Sequence, residues 1–456
     1  MNVYDLVIKN GTLVIPERQQ IITANLGITG DKIAIITNDD IRGLKEIDAM
    51  NKIVSPGFVD VHGHIDGHLE VGKLAAVQGI TTTVGGNCGL GHSNLREFFD
   101  AQQAGFIINQ AQLVGHSFSL REEVGIENPY SAADDIQIKE MSHRIERAFN
   151  EGAIGLSFGI EYAPGSSYKE IMELSSIAAR YGRIIPIHTN VDNPNSLKSL
   201  EDAIAIAKVT GAHVLISHFV YQYGTGVMEK ALELVDKARQ DGLKISVDSG
   251  MYTSFATHIG SAIYDKSYMK KMGWTVTDLV VASGKYRGRR MDEKLYKEVR
   301  ENYRNESAIC FTGVEAEIYE ALRKDYVMVS TDIGPSLSGS TKDGHPQNAG
   351  TFPRFFRKMV RERKELTLLD AVRKCTLLPA DTFGFDKKGR LSEGCDADIV
   401  IFDIDNIRDN AWFPNEGEPD AKPDGIEYVI VSGKIIVEKG SLAEDILPGK
   451  VIMAKD

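Results

Sequence analysis

The chain has 456 residues, 42% hydrophobic and 25% charged, and carries a formal net charge of -12. This balance suits a globular protein with room for one large and one smaller domain, and an acidic surface repels nucleic-acid phosphates. Four cysteines, Cys88, Cys310, Cys375 and Cys395, are too few and too scattered for a disulfide framework.

No segment reaches the roughly 18 uninterrupted apolar residues of a membrane span. The opening residues Met1 to Leu6 lack a basic region followed by a long apolar stretch. A cytoplasmic protein with neither a membrane nor a nucleic-acid partner is expected.

Residues 1 to 55 read as short β runs separated by turns, such as Asp5 to Lys9, then Asn10-Gly11, then Thr12 to Ile15. The same texture returns in Ala397 to Asp403, Ile426 to Val431 and Lys434 to Val437, so the two chain ends should pair into one small β domain. At Ser55 to Asp66 an apolar run ends in His62 and His64. In a strand the i, i+2 spacing puts both imidazoles on one face, where they can share a metal ion.

Downstream, apolar runs alternate with helix-like stretches: Ser196 to Thr210, His213 to Ser217, Val227 to Gln240, Leu243 to Asp248. Such alternation predicts a parallel sheet, and at this length a closed (β/α)8 barrel of the TIM type. Cys88, His188, His218 and Asp332 each end, or closely follow, a short apolar run. The C-terminal ends of barrel strands are where such a fold collects its active-site groups. The expected layout is α/β, with a barrel over 56–384 and a β-sandwich domain built from 1–55 and 385–456. A basic, helix-prone stretch at 255–310 breaks the alternation and reads as a lid-like insertion.

These residues carry a resemblance. The run Pro56-Gly57-Phe58-Val59-Asp60 with His62 and His64 comes first, followed by Gly86-Asn87-Cys88-Gly89 and Gly155 to Gly159. Ala163-Pro164-Gly165, the isolated His188 and His218, Ser330-Thr331-Asp332 and Gly350 to Arg354 follow in order. Together with Gly389 to Val400 they resemble the D-aminoacylase branch of the amidohydrolase superfamily, from about residue 5 to about residue 440. Dihydroorotase-like and hydantoinase-like relatives use a carboxylated lysine as bridging ligand where this chain has Ser157, and here Cys88 takes that part.

The resemblance implies a zinc-dependent hydrolase of amide C–N bonds. Cys88, His188 and His218 would hold one tight zinc ion; His62 and His64, with Cys88 bridging, would form a second, weaker position. A metal-activated water would attack the amide carbonyl, with Asp332 as general base and then general acid toward the leaving nitrogen. Tyr162 would hydrogen-bond the substrate carbonyl, or merely pack. His116 also matches a family element.

Substrate contacts depart from the branch. Relatives hold an α-carboxylate with a lysine and an arginine where this chain has Val220 and Gln347, although Tyr252 matches a third carboxylate contact. A carboxylate without those cations forfeits a charge-assisted hydrogen bond worth about 1.5–3 kcal/mol. The expected substrate is therefore a small-molecule amide without a free α-carboxylate, unless a lid cation such as Lys271 or Arg289 supplies the charge. A cyclic amidase of hydantoinase, imidase or lactamase type is the alternative, and a non-catalytic scaffold a third reading. A second metal and a homo-oligomer are left open.

Overall fold

The computed structural model describes residues 3–92, 94–336 and 339–454. Five strands open the chain: β1 (Val3–Ile15), β2 (Gln20–Thr29), β3 (Lys32–Thr37), β4 (Arg42–Asp48) and β5 (Ile53–Pro56). Eight short strands follow, mostly separated by helices: β6 (Phe58–Asp60), β7 (Ile80–Gly85), β8 (Asn109–Gln112), β9 (Val114–Gly115), β10 (Leu156–Gly159), β11 (Ile185–His188), β12 (Val214–Ile216) and β13 (Ile245–Ser249). Next come β14 (Ser254–His258), β15 (Leu279–Val281), β16 (Ser307–Phe311) and β17 (Val327–Val329). The C-terminal strands are β18 (Ile399–Phe402), β19 (Ile426–Val431), β20 (Lys434–Glu438), β21 (Ser441–Leu442) and β22 (Val451–Ile452).

The two chain ends do pair: β1 to β5 and β18 to β21 share one nine-stranded sheet. Leu6 and Ile8 in the first half of β1, and Leu13 and Ile15 in the second, face the same core. An unbroken strand would put residues 8 and 13 on opposite faces, because side chains alternate. The register shift between Ile8 and Gly11 restores the phase. Gly11 is needed there, since a Cβ would lie 2.5 Å from the Val54 side chain. Val14 points the other way, into the large core beneath the parallel strands.

The central strands form two parallel sheets, β9-β10-β11-β12-β13-β17 and β6-β7-β8, with β22 on the outer side of β8. Only Leu113 separates β8 from β9. At the opposite margins the exits of β6 and β17 are hydrogen-bonded: the Asp332 N–H donates to the His62 carbonyl (2.8 Å) and the His64 N–H to the Ile333 carbonyl (2.6 Å). The strands are buried, as parallel strands covered by helices must be; most are apolar, but β7 and β8 carry buried polar residues, Thr81 to Thr83, Asn109, Gln110 and Gln112. Helix Asp135–Asn150 buries Ile138, Met141, Ile145 and Phe149, a single stripe at helical spacing, and starts with a capping box of Asp134 and Gln137. Helix Tyr168–Arg180 begins likewise with Ser167 and Glu170.

Two features differ from the sequence reading. The basic stretch at 255–310 holds a three-stranded antiparallel sheet, β14-β16-β15, besides its helices. It has its own core of Ile263, Tyr264, Leu279, Leu295 and Val299 among others. Several of its cations are paired, Lys266 with Glu293 and Arg300 with Asp265. The second difference is β22, which leaves the terminal sheet to pair with β8. Among the described residues, no helix is long and apolar enough to cross a membrane.

The terminal sheet is tied to the parallel strands by a buried ion pair. Asp398, just before β18, accepts from Lys388 Nζ (2.6 Å), from Asn109 Nδ2 of β8 (3.0 Å) and from the Ser432 N–H (2.7 Å). Removing the cation strands a carboxylate away from water. Lys388→Met should destabilise the protein by about 3–5 kcal/mol, read as a lower midpoint in urea unfolding. A midpoint equal to that of the wild type would contradict this account of the junction.

Candidate metal centre

The polar groups singled out in the sequence converge at the C-terminal ends of the parallel strands. His62 and His64 follow β6, Cys88 follows β7, His188 ends β11, His218 follows β12 and Asp332 follows β17. Three of them, Cys88 (φ 54°), His218 (φ 32°) and Asp332 (φ 55°), take left-handed backbone that non-glycine residues rarely adopt. Strain of this kind persists only where the surroundings enforce it, and it clusters at functional sites.

The Cys88 loop shows how. Gly86 and Gly89 flank the cysteine, both at positive φ. A Cβ at Gly89 would sit 2.5 Å from the Ser117 nitrogen. Ser157 on β10 braces both ends of the loop: its hydroxyl donates to the Gly86 carbonyl and accepts from the Gly89 N–H (3.0 Å). A lysine at 157 could not make this brace, and the site uses the thiol instead.

Cys88 Sγ lies 3.2 Å from His62 Nε2, 3.5 Å from His188 Nδ1 and 3.5 Å from His218 Nε2. A thiol has one proton and can satisfy only one of three ring nitrogens. A divalent cation satisfies them all at once, and a thiolate with imidazoles is the donor set zinc prefers. Two groups have ligand atoms mutually within 4.8 Å, Cys88 with His188 and His218, and Cys88 with His62 and His64. The donors therefore fit one metal ion, with Cys88 placed to bridge to a second.

Charges in the cluster follow from this crowding. Burial alone pushes the Cys88 thiol up, but the His62 charge and hydrogen bonds from His188 and His218 hold it well below the ordinary thiol range. Burial opposes a charged His188; the Cys88 sulfur and Glu161 outweigh it and raise this group to about 9. Asp332 Oδ1 is 3.3 Å from His64 Nε2 and 3.5 Å from His62 Nε2. Burial would raise its carboxyl, yet these imidazoles together with His218 keep it below its usual range, ionised at neutral pH.

A second layer of carboxylates orients the imidazoles, and the sequence reading missed it. Glu161 Oε2 accepts from His188 Nε2 (2.6 Å), leaving Nδ1 to face the thiol. Asp248 on β13 accepts from the His218 N–H (2.9 Å) and lies 3.7 Å from His62 Nδ1. Asp60 accepts from the Thr331 N–H (3.1 Å) and the His62 N–H (3.3 Å), tying β6 to β17. The available signal was a charge inside an apolar strand, Asp248 in Ile245–Ser249, and a carboxylate next to Tyr162.

The centre opens into a cavity of about 730 Å³. Tyr162 and Gln347 border it, as expected. Gln347 is held at both ends: Nε2 donates to the Asp332 carbonyl (2.6 Å) and Oε1 accepts from Tyr221 Oη (2.8 Å). Val220 and Tyr252 do not border it. In the one-turn helix Phe219–Tyr223, Val220 packs into the core while Tyr221 faces the cavity. Tyr252 is 3% exposed; its hydroxyl reaches the Pro346 carbonyl (3.3 Å), and the Arg354 guanidinium covers its ring. Neither Lys271 nor Arg289 lines the wall, and no other lysine or arginine does among the described residues. Phe255, Ile263, Met272 and Trp274 of the 254–311 unit make its outer wall apolar.

Comparison with known proteins agrees with this geometry. The chain is 30% identical to a D-aminoacylase of Alcaligenes xylosoxydans xylosoxydans over 94% of each chain. It is 28% identical to an N-acyl-D-glutamate deacylase of the same organism, over 94% of this chain and 93% of that one. The crystal structure of an N-acyl-D-glutamate deacylase from Bordetella bronchiseptica, complexed with zinc and a phosphonate inhibitor, superimposes with a TM-score of 0.86. It is 28% identical, over 99% of this chain and all of that one. The sequence profile of the Amidohydrolase family matches residues 53–436, and the chain belongs to that family.

Proposed function

We propose that the protein is a zinc-dependent hydrolase of amide C–N bonds outside peptides, acting on substrates without a free α-carboxylate. In this reading Cys88, His188 and His218 hold one zinc ion tightly, and His62 and His64 share Cys88 in a weaker second position. The convergence of three ring nitrogens on one sulfur supports it. The scaffold is read as a TIM-type barrel closed where the exits of β6 and β17 hydrogen-bond at residues 62–64 and 332–333. A small β domain from 1–55 and 385–456, and a lid over 255–310, complete it.

A zinc ion bound there supplies Lewis acidity, lowering the pKa of water and polarising an amide carbonyl. Asp332, ionised beside His62 and His64, takes the proton of the attacking water. The same carboxyl then gives that proton to the nitrogen, because an amine leaves only once protonated. Gln347 and the backbone link to His62 keep Asp332 in place. Tyr162, whose ring lies 4.7 Å from that of His188, borders the space the scissile carbonyl would occupy.

Among the described residues no lysine or arginine lies on the cavity wall, and this supports the substrate reading. Gln347, tied to the Asp332 carbonyl and Tyr221, offers a neutral amide where relatives carry a cation. Neutral N-acyl amines, N-acyl-amino-acid amides and cyclic imides or lactams all suit such a wall, and ring-opening assays separate the cyclic from the linear class.

Two outcomes are expected. Asp332→Asn should lower turnover by about a hundredfold or more with zinc content unchanged by metal analysis; a variant with near wild-type turnover would remove Asp332 from the chemistry. In a matched pair, the carboxamide of N-acetyl-D-leucine should have a higher kcat/KM than N-acetyl-D-leucine itself. A strong preference for the free acid would contradict the substrate reading.

A further inference from the structure

One side chain of the 254–311 unit reaches the carboxylate behind His188. Tyr268, on helix Lys266–Met272, brings its hydroxyl within hydrogen-bond distance of Glu161 Oε1 and 3.0 Å from the Val191 carbonyl. Glu161 Oε2 in turn accepts from His188 Nε2 at 2.6 Å. The carboxylate thus spends one oxygen on the tyrosine and the other on the imidazole, and it can accept at both. The chain of contacts runs from the helix, through Glu161, to the Nδ1 atom that faces Cys88.

The tyrosine is suited to this task. Burial, and then the charge of Glu161, raise its hydroxyl far above the ordinary phenol range, so it remains a neutral donor at any working pH. Its ring lies 6.0 Å from Trp274, which packs at 5.6 Å on Phe255, and it touches both the unit's core and the large core. The hydroxyl is carried by a helix of that unit, whereas Glu161 belongs to the loop after β10.

We propose that Tyr268 is a positioning residue that couples the seating of the 254–311 unit to the metal affinity of the centre, acting through Glu161 on His188. When the unit is seated, Glu161 is fixed and His188 presents Nδ1; when it lifts, Glu161 loses its second partner and His188 its orientation. Groups that orient a ligating histidine typically change metal affinity by 10–100-fold. This proposal rests on the reading of Cys88, His188 and His218 as ligands.

The experiment is zinc titration of the metal-stripped full-length protein against a competing chelator, for wild type, Tyr268→Phe, Glu161→Gln and the double variant. Tyr268→Phe removes one oxygen and keeps the ring packing, so folding is checked by circular dichroism and expected to be unchanged. It should weaken zinc binding by about tenfold, and Glu161→Gln by at least as much. The double variant should bind no more weakly than Glu161→Gln alone, because both changes cut one path. The visible spectrum of the cobalt-loaded Tyr268→Phe protein should also differ from that of the wild type.

Unchanged zinc affinity and cobalt spectrum in Tyr268→Phe would overturn the proposal, as would effects that add in the double variant. Failure of the wild type to bind zinc would instead overturn the ligand assignment itself, which keeps the two failures distinct.

Discussion

Three imidazole nitrogens aimed at one buried sulfur are the constraint around which this structure is organised. A divalent cation between them would satisfy the sulfur and the ring nitrogens together, which no single proton can do. The surrounding architecture serves to enforce their convergence. Left-handed backbone at Cys88, His218 and Asp332 turns each chain exit inward, and Ser157 holds the cysteine loop at both ends. Asp60, Asp248 and Glu161 fix the groups that carry the ligands or, for His188, the ring itself. These features lie on strands distant in sequence, so the parallel sheet is what brings them together.

The parts legible in the sequence were those written in local pattern. Strands β12 and β13 and the helices Lys198–Thr210 and Met228–Gln240 lie within two residues or so of their expected places, because apolar runs and helical stripes are local signals. The ligand candidates were legible for a related reason, since each lies at or just beyond the end of such a run. What escaped was non-local. β14 pairs with β16 across about fifty residues of charged sequence, and no periodicity in a single segment reports such a partner. Glu161 and Asp248 acquire meaning only once β10, β11, β12 and β13 are neighbours. Val220 was misplaced because a one-turn helix decides which of residues 219 to 222 faces the cavity, and that decision is made by packing.

The cavity adds a second constraint, on charge. Its wall offers Asp66, Glu161 and Asp332 but neither lysine nor arginine among the described residues, so a carboxylate remote from the histidines would meet like charge and no ammonium or guanidinium partner. Relatives named for N-acyl-D-amino acids are 28–30% identical to this chain, and the wall of such a site is where a fold with fixed chemistry changes its substrates. The 254–311 unit supplies part of that wall, Phe255, Ile263, Met272 and Trp274 among others, and the Tyr268 contact with Glu161.

The central claim is that a thiolate and two imidazoles bind the same divalent ion. X-ray absorption at the zinc edge of the loaded protein tests it directly. The account predicts one sulfur neighbour at about 2.3 Å and nitrogen neighbours at about 2.0–2.1 Å, with the sulfur signal lost in Cys88→Ser. A zinc shell of nitrogen and oxygen alone in the unsubstituted protein would contradict it.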